Sequence, residues 1–526
     1  MTPKRSPASP SEPSPTPLFD FAADSPASTP PSAPTQAPKR GRRPKATQET
    51  EPTSAPKSSR TAKKSPSRST KKAAADAPPQ ELPPNERPFA VPKNWLWTRL
   101  GDVARWGSGG TPSRKTPQYY DGSIPWIKSG ELNDDYVFDS EEKITEEAIK
   151  KSSAKLYPPN TVVIAMYGAT IGKTAILGVQ ATTNQACACA VCRDFLDYRF
   201  LFNYARSQKD AFIKKGKGGA QPNISQEVIK PYPFPLPPLA EQERIVALVE
   251  RLFARLDEAA EIVRETLEQI DLAKKNLLAQ AFRGELGTND PSDEKPANLD
   301  ELPPNERPFE IPKNWLWTRW GNCGKFVAGN AFKKEMQSFT DYEIPFYKVG
   351  SLKYSDSDGW LYDETNTINE EIRKNLKAVL IPKNAIVFAK IGEAIRLNRR
   401  ALTPKPCCID NNLMSFTAEK CGCRFAYFWS LTLELYKYAN ATTVPAIRKT
   451  DLEAIPFPLP PLAEQARIVA LIERQTRKYD EARELAEETA ARIETLKKAI
   501  LARAFRGELG TNDPTDPKPF APAPTT

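Results

Sequence analysis

The longest regular pattern in the chain is a seam of apolar positions within residues 241–283, a stretch without proline or glycine. Apolar or small residues recur there at alternating steps of four and three, the spacing of a heptad repeat. A helix over these residues would be about 64 Å long, too long to fill the core of a domain of this size. The pattern therefore predicts a long helix that pairs along one face. The main positions of this seam are Ile245, Leu252, Leu256, Val263, Ile270 and Leu277.

The same pattern returns 223 residues later, over residues 464–506, with more polar exceptions. A proline-rich PFPLPP run precedes each predicted helix and the glycine of an FRGELG run follows it, which are ordinary start and stop signals. Two seams in one chain predict an antiparallel coiled coil that holds two globular domains at its opposite ends. The apolar positions of the second seam are Ile468, Ile472, Ile493, Leu496 and Ile500.

The two helices close the two copies of an internal duplication. Residues 81–101, ELPPNERPFAVPKNWLWTRLG, return as ELPPNERPFEIPKNWLWTRWG at 301–321, and PFPLPPLAEQ at 233–242 returns at 456–465. A repeat of this length is a whole domain and not a solenoid unit. The copies agree at their edges and differ in their middles, which predicts one scaffold holding two different ligands.

These patterns predict an α/β protein with two duplicated globular domains and two long helices. The expected segments are a disordered basic tail rich in Pro, Ser and Ala (1–80), a first globular domain (81–240), a central long helix (241–283), a linker (284–300), a second globular domain (301–463), a C-terminal long helix (464–506) and a disordered tail (507–526).

The first copy carries glycine-rich elements beside predicted strands. The run GSGGTP at 107–112 precedes PWIKSG at 125–130, and a strand-like TVVIAMY run ends in GATIGKT at 168–174. The last element has three residues between its glycines, where a phosphate-binding P-loop needs four, so nucleotide binding is not expected. A strand-end loop that offers backbone N–H groups and a lysine to DNA is one interpretation, and a plain tight turn is the other.

A lysine-rich loop, KKGKGGAQPN at 214–223, combines three lysines with flexible glycines and amide side chains. Lysine suits phosphate contacts, and Gln or Asn suits adenine. The second copy has NATTVP at 440–445 and a separate basic cluster. DNA contact is favoured over a solvated loop in both copies. The DNA-contact candidates of the first copy are Gly109, Gly110, Thr111, Trp126, Lys128, Ser129, Thr170, Lys173, Lys214, Lys215, Lys217, Gln221 and Asn223. Those of the second copy are Lys333, Lys334, Tyr347, Lys348, Lys390, Arg396, Arg399, Arg400, Thr442, Thr443 and Arg448.

Net charge adds little to this interpretation, because the excess of +10 is unevenly placed. Residues 1–80 hold 14 Lys and Arg against 6 Asp and Glu, so most of the excess lies in the tail. DNA contact by the folded part must therefore come from local clusters. The run KRGRRPK at 39–45 resembles an AT-hook for A·T-rich minor grooves, with a solvated basic tail as the alternative.

The chain has no histidine, which excludes Ser-His-Asp and Cys-His nucleophilic sites and His-ligated zinc catalysis. Motifs of an amino-methyltransferase, a Walker NTPase or a nuclease core are also missing, so a non-catalytic role is expected. The eight cysteines do not resemble a secreted disulfide framework, and structural thiols are favoured over a metal site. No apolar run is long enough to span a membrane, and a cytoplasmic, prokaryotic protein is expected.

Over about residues 81–510 the chain resembles the specificity subunits of type I restriction-modification enzymes. The resemblance rests on the two-copy layout, on Trp126–Lys128 and Phe346–Lys348, on Gly168–Lys173, and on the PLPPLAEQERI run that opens the first helix. It implies two target-recognition domains, each reading one half of a split DNA site. It also implies docking of two methyltransferase subunits and of restriction/translocase subunits, with S-adenosylmethionine and ATP bound by these partners and no cofactor or metal bound directly. The basic tail departs from the family's usual start.

The favoured hypothesis is a DNA-specificity module with an asymmetric bipartite target. Its helices would fix the spacing of the half-sites, which lie about one turn or ~34 Å apart on one face of DNA. The partner would methylate adenine N6 after flipping the base out of the stack. Two alternatives are a fused DNA-modifying enzyme, which would need the missing motifs, and a coiled-coil structural adaptor that reads no DNA sequence.

Overall fold

The described part of the chain forms two compact units. The first unit contains residues 78–264 and 487–520, and the second contains residues 265–486. Apart from residues 78–80, the expected tail with its AT-hook-like run lies outside the described residues. The computed structural model describes residues 78–216, 223–440 and 444–520.

The first unit has a five-stranded sheet of order β2-β9-β6-β7-β4, a three-stranded sheet of order β5-β3-β8 and a separate pair, β1-β10. Neighbouring strands are antiparallel except in the pairs β3-β8 and β4-β7. The strands are β1 (Leu96–Arg99), β2 (Ala104–Ser108), β3 (Ile124–Ile127), β4 (Tyr136–Val137), β5 (Lys143–Ile144), β6 (Val162–Ala165), β7 (Thr174–Leu177), β8 (Thr182–Thr183), β9 (Cys187–Cys192) and β10 (Pro233–Leu236).

The helix α3 (Tyr198–Ser207) packs on the five-stranded sheet of the first unit. Apolar side chains of α3, among them Phe200 and Leu201, are fully buried in one core with Val162 and Ile164 of the sheet. Asp197 caps α3, because its carboxylate accepts a hydrogen bond from the backbone N–H of Arg199. The helices are α1 (Leu100–Val103), α2 (Glu146–Lys150), α3 (Tyr198–Ser207), α4 (Lys209–Lys215) and α5 (Gln226–Ile229).

The second unit repeats this plan with small changes. Its sheets have the orders β12-β18-β15-β16 and β14-β13-β17, with separate pairs β11-β21 and β19-β20. Its strands are β11 (Leu316–Arg319), β12 (Gly324–Ala328), β13 (Ile344–Tyr347), β14 (Thr367–Ile368), β15 (Ile386–Ala389), β16 (Arg400–Leu402), β17 (Cys408–Ile409), β18 (Leu413–Ala418), β19 (Ala439–Asn440), β20 (Ala446–Ile447) and β21 (Pro456–Leu459). Its short helices are α7 (Glu370–Asn375), α8 (Cys423–Leu431) and α9 (Lys449–Glu453).

The repeated edges of each copy meet as an antiparallel strand pair. In the first unit β1 pairs with β10, with Thr98 opposite Phe234. In the second unit β11 pairs with β21, with Thr318 opposite Phe457. The near-identical edges of the two copies therefore close each domain in the same way, whereas the diverged middles form the sheets between them.

The two predicted long helices are present, as α6 (Leu239–Arg283) and α10 (Leu462–Phe505). Each begins two residues earlier than the sequence patterns indicate. The first part of α6 and the last part of α10 belong to the first unit, and their other parts belong to the second.

Within each unit the two helices run antiparallel. In the first unit Lys497 Nζ lies 2.6 Å from an oxygen of Asp257, and the segment after α10 reaches back to Glu241. In the second unit Lys274 contacts Asp480. As residue numbers rise along α6, the residue numbers of the partners on α10 fall, which shows that the two helices are antiparallel.

Most predicted seam positions are shielded, but Leu496 is not. Ile245, Ile270, Leu277, Ile468, Ile472 and Ile493 are buried, and Leu252, Leu256, Val263 and Ile500 are half-buried. The prediction for Leu496 is wrong, because its side chain is 51% exposed. The next shielded position after Ile493 is Lys497, four residues later, and not Leu496, three residues later. The methylene chain of Lys497 is shielded while its amine pairs with Asp257.

Ile493 and Leu496 provide a matched test of this seam. We expect Ile493→Ala to lower the free energy of unfolding by about 2–5 kcal/mol, because it removes a buried branched side chain and leaves a cavity. Leu496→Ala should change it by less than about 0.5 kcal/mol. Urea unfolding followed by tryptophan fluorescence measures both, and equal effects of the two changes would contradict the seam described here.

The segment after α10 corrects another expectation. Residues 507–526 were expected to be disordered, but the described residues 507–520 pack on the first unit. The backbone N–H of Asn512 donates to Glu241 at 2.9 Å, and the ring of Phe520 lies edge-on to Phe195 with centroids 4.4 Å apart. The same run, FRGELGTNDP, also follows α6, where the backbone N–H of Asn289 donates to Glu464 in the same way. The segment that was predicted as a linker therefore belongs to the second unit.

Four of the buried cysteines lie in or next to strands of the two units. Cys187 and Cys189 on β9 and Cys407 and Cys408 near β17 are buried, and burial raises the pKa of each thiol. In the described ranges, no group of His, Cys, Asp and Glu is arranged to hold a metal ion. No helix within those ranges is both long and apolar enough to cross a membrane.

Candidate nucleic-acid interface

In the first unit, the end of β3 and the segment that follows β6 both contact the turn formed by residues 184–186. Asn184, which follows β8, donates its backbone N–H to Ile127 at the end of β3, at 2.9 Å. Two residues later, Ala186 accepts from the backbone N–H of Met166, just beyond the end of β6, at 2.8 Å. The residues that follow β3 and β6 therefore flank the turn 184–186. We call this surface the first edge.

The second unit builds the same arrangement around the turn 410–412. The backbone N–H of Asp410 donates to Tyr347 at the end of β13, at 2.9 Å. The backbone N–H of Lys390, which follows β15, donates to Asn412 at 2.8 Å. Lys348 and Lys390 thus occupy the positions that flank the turn, and we call this surface the second edge.

A third segment joins each edge from the C-terminal side of the domain. In the first unit Asn223 forms a β-bridge with Tyr167, next to the GATIGKT element. In the second unit Ile447 donates its backbone N–H to Lys390 at 2.9 Å, which brings Arg448 beside that edge. Three segments that are distant in sequence therefore meet at equivalent places in both units.

Lys128 at the first edge is already neutralised by neighbouring carboxylates. Its amine lies 2.5 Å from Glu141 and 3.2 Å from Glu142, and the hydrogen bond to Glu141 raises the pKa of the lysine. Glu142 also pairs with Arg114, whose hydrogen bond lowers the pKa of the Glu142 carboxyl. Lys128 is therefore a weaker phosphate contact than a lysine without such partners would be.

Several polar candidates stay accessible at the first edge. Thr170 ends a short 3-10 turn and donates its hydroxyl to the carbonyl of Tyr167 at 2.9 Å. Lys173 and Ser129 are half-buried, and Thr111 and Asn223 are exposed. These side chains form a mixed hydroxyl, amine and amide surface of the kind that contacts phosphates and base edges.

Two cations of the second unit, Lys348 and Arg396, are positioned by neighbouring side chains. Lys348 donates to the amide oxygen of Gln337 at 2.8 Å, and Lys333 and Lys334 lie exposed on the 3-10 turn just before that glutamine. The Arg396 guanidinium stacks on Tyr436 at 3.6 Å from the ring centroid and donates to its hydroxyl at 2.6 Å. The guanidinium also pairs with Glu393 at 3.0 Å, so Arg396, like Lys128, has part of its charge neutralised by a neighbouring carboxylate.

The glycines predicted to contact DNA have a packing role instead. Gly109 and Gly110 are buried, and a Cβ atom on either would collide with the main chain. At Gly109 the obstacle is the carbonyl of Thr183, and at Gly110 it is the backbone of Ser153. Their prediction as contact residues is wrong, because they permit close approach of the loop to its own domain.

Three further candidates are also buried. Trp126 is 2% exposed and donates its indole N–H to the Gly110 carbonyl at 2.9 Å. Tyr347 is 1% exposed and donates its hydroxyl to Leu361. Arg400 is 5% exposed, bonds to backbone carbonyls, and has its pKa lowered to about 9 by burial. Each of these three side chains packs inside its own domain and is not available to DNA.

The remaining candidates lie elsewhere or outside the described residues. Lys214 and Lys215 are exposed on the last turn of α4, and the Lys215 amine lies 4.5 Å from the ring centroid of Tyr232, which precedes β10. This contact directs Lys215 away from the first edge. Four candidates lie outside the described residues, namely Lys217, Gln221, Thr442 and Thr443.

The sequence patterns missed three exposed residues at the two edges. Tyr167 is 44% exposed beside Asn223, and Gln185 is exposed at the tip of the first turn, where it accepts a hydrogen bond from Thr111. Asn411 is exposed at the tip of the second turn. The available signal is an amide pair shortly before β9 in the first copy, Asn184-Gln185, and directly before β18 in the second, Asn411-Asn412.

Arg399 is suited to test phosphate contact in the second unit. It is exposed, and no ion pair or side-chain hydrogen bond involves it among the described residues. We expect Arg399→Ala to weaken binding to all duplexes alike and to make the slope of log K against log salt less steep by about 0.9. The control is Arg492→Ala, an exposed arginine on α10 paired with Glu488. Titrations at several salt concentrations measure both, and a loss confined to one sequence would contradict a phosphate contact.

Comparison with known families matches both copies to one domain. The type I restriction modification DNA specificity domain matches residues 92–270 and 312–494. The chain belongs to this family. Membership gives its general function, DNA sequence specificity in a restriction-modification system.

Individual members of the family support this assignment. The chain is 30% identical over 382 residues to the specificity subunit of the MjaIX type I restriction enzyme of Methanocaldococcus jannaschii, covering 70% of this chain and 84% of that protein. It is 30% identical over 161 residues to the EcoR124I/EcoR124II specificity subunit of Escherichia coli, covering 30% and 40% of the two chains. A solved chain from a study of assembly and conformational transition of the type I R-M system shares the fold, with a TM-score of 0.61, 22% identity and coverage of 80% and 100%.

Proposed function

We propose that this specificity subunit is a non-catalytic DNA reader that recognises an asymmetric bipartite duplex site. The observation that carries the proposal is the pair of edges. Equivalent backbone hydrogen bonds build both, yet they present different side chains, with Tyr167 and Asn223 at one and Lys390 and Arg448 at the other. Such a pair suits one binding geometry applied to two different half-sites.

The proposal assigns the chemistry to partner subunits. Two methyltransferase subunits would use S-adenosylmethionine to methylate adenine N6, and restriction/translocase subunits would use ATP for cleavage. In support, the chain has no histidine for acid-base or nucleophilic work, and no group of metal-ligand residues was found in the described ranges. The helices α6 and α10 are the proposed docking and spacing elements.

Selection from a random duplex pool tests this proposal. The purified chain, with the methyltransferase encoded beside it, should enrich a sequence of two short defined parts separated by an undefined spacer of fixed length. Enrichment of no sequence would contradict the proposal and favour the structural adaptor. Methylation by the chain alone would contradict the non-catalytic part of the proposal.

A further inference from the structure

The turn at the centre of each edge is held rigidly by the surrounding strand ends. In the first unit Gly110 donates its backbone N–H to Thr183 at 2.9 Å, in addition to the contacts of Asn184 and Ala186 described above. In the second unit Asn330 donates to Ile409 at 3.0 Å. Gly109 and Gly329 also lie against these turns, where a Cβ atom would collide with their carbonyls. A side chain at the tip of either turn is therefore presented from a fixed backbone.

The side chain of the first residue in each turn stabilises the turn by a hydrogen bond to its backbone. The side-chain oxygen of Asn184 accepts from the backbone N–H of Ala186 at 3.1 Å. The carboxylate of Asp410 accepts from the backbone N–H of Asn412 at 3.0 Å and is largely buried. Because the Asp410 carboxylate points inward, the second turn does not present its negative charge at the tip.

The residue at each tip is an exposed amide, Gln185 in the first unit and Asn411 in the second. An amide offers a donor and an acceptor side by side, the pattern that pairs with the major-groove edge of adenine. The two amides differ by one methylene in reach, and Gln185 has a positioning partner, the hydroxyl of Thr111. Both units therefore present an amide group at the tip of the equivalent turn, and the amide extends one methylene further in the first unit than in the second.

We propose that Gln185 and Asn411 are base-reading residues, each specifying one position in one half of the bipartite site. This inference rests on the proposed function and deepens it. The ligand class at each tip is a base edge, adenine being the best match, and Thr111 is a positioning residue for Gln185. Lys390, beside the second turn, provides charge near the DNA backbone and no base preference, and Lys128, beside the first turn, contributes less because Glu141 and Glu142 pair with it.

The test compares the sequence preference of Gln185→Ala and Asn411→Ala with that of the unchanged chain, in complex with the methyltransferase. Selection from a random pool gives the preference, and titration with matched and single-mismatch duplexes gives the discrimination. We expect Gln185→Ala to lose about 5- to 150-fold discrimination at one position of one half-site, and Asn411→Ala to do so in the other half only. Asn133→Ala, an exposed amide in a groove beside α6, should leave the preference unchanged.

Thermal unfolding of each variant separates a reading defect from a folding defect. If an alanine variant does not fold, the exchanges Gln185→Asn and Asn411→Gln decide, and they should alter preference at the same single positions. Folded variants with unchanged preference, or with uniform loss on all duplexes, would overturn the assignment. Failure of the unchanged chain to enrich any sequence would instead refute the proposed function, so the two failures are distinguishable.

Discussion

Replacing residues 320–455 of the second copy with residues 100–232 of the first should give a target whose two half-sites have the same sequence. The replaced segment lies between β11 and β21, whose pairing matches that of β1 and β10. The specificity of the second unit should vanish as a whole, because every residue of its edge belongs to the exchanged segment.

The long helices favour this exchange. The first domain packs on Ile245 and Val249, and the second packs on Ile468 and Ile472 at equivalent places. Phe253 is the main difference, because Thr476 takes its place in the second unit. We therefore expect the chimera to fold with a small cavity near Thr476, and Thr476→Phe should restore stability.

Methylation mapping in cells that carry the partner methyltransferase measures this result. The reciprocal chimera, with the second interior in both places, is the matched control and should duplicate the other half-site. Retention of the original target by either chimera would show that the interiors do not determine sequence preference, and would contradict the account.

Substituting Glu241 by alanine should lower the free energy of unfolding of the first unit by about 3 kcal/mol, because it removes a buried carboxylate that accepts three hydrogen bonds. Glu241 is fully buried and accepts from the Thr511 hydroxyl at 3.0 Å, the Asn512 N–H at 2.9 Å and the Arg244 Nε–H at 2.8 Å. The substitution removes the acceptor of Thr511 and Asn512 and so loosens the segment after α10, which keeps the ion pair between Arg244 and Asp516.

Glu464 provides the equivalent test in the second unit, where it accepts from Thr288, Asn289 and Arg467. Hydrogen exchange should rise over 507–516 in Glu241→Ala and over 284–293 in Glu464→Ala. Glu243→Ala, an exposed neighbour, should change stability by less than about 0.5 kcal/mol. Unchanged exchange in both segments would show that the two glutamates do not hold them.

The long helices and the duplicated plan could be predicted because they depend on regular local signals. The heptad spacing of α6 and the proline and glycine at its ends act over a few residues. The tail after α10 was missed although its sequence repeats that of a segment after α6. Composition alone suggested disorder, whereas a buried acceptor, Glu241, orders it, and that acceptor is 270 residues away in sequence.

The predicted strand-end loops do lie beside the two edges, whereas contact between these loops and DNA stays a prediction. Which individual residues are accessible is harder to predict, because a sequence motif does not show which side chains face the core. Trp126 and Tyr347 stand beside accessible lysines and are nevertheless buried. Arg400 begins β16 and is buried, whereas Arg399, the residue just before that strand, is exposed, and the sequence alone does not distinguish the two arginines. Gln185 was missed because its neighbours are brought together only by the fold.

The most direct test of the account is to map N6-methyladenine across the genome of a methylation-free host. The partner methyltransferase is expressed alone, with this chain, and with the chimera that carries the first interior twice. The account predicts no defined motif without the chain, a split asymmetric motif with it, and two copies of one half-site with the chimera. The same motif with and without the chain would contradict the claim that this subunit supplies sequence specificity.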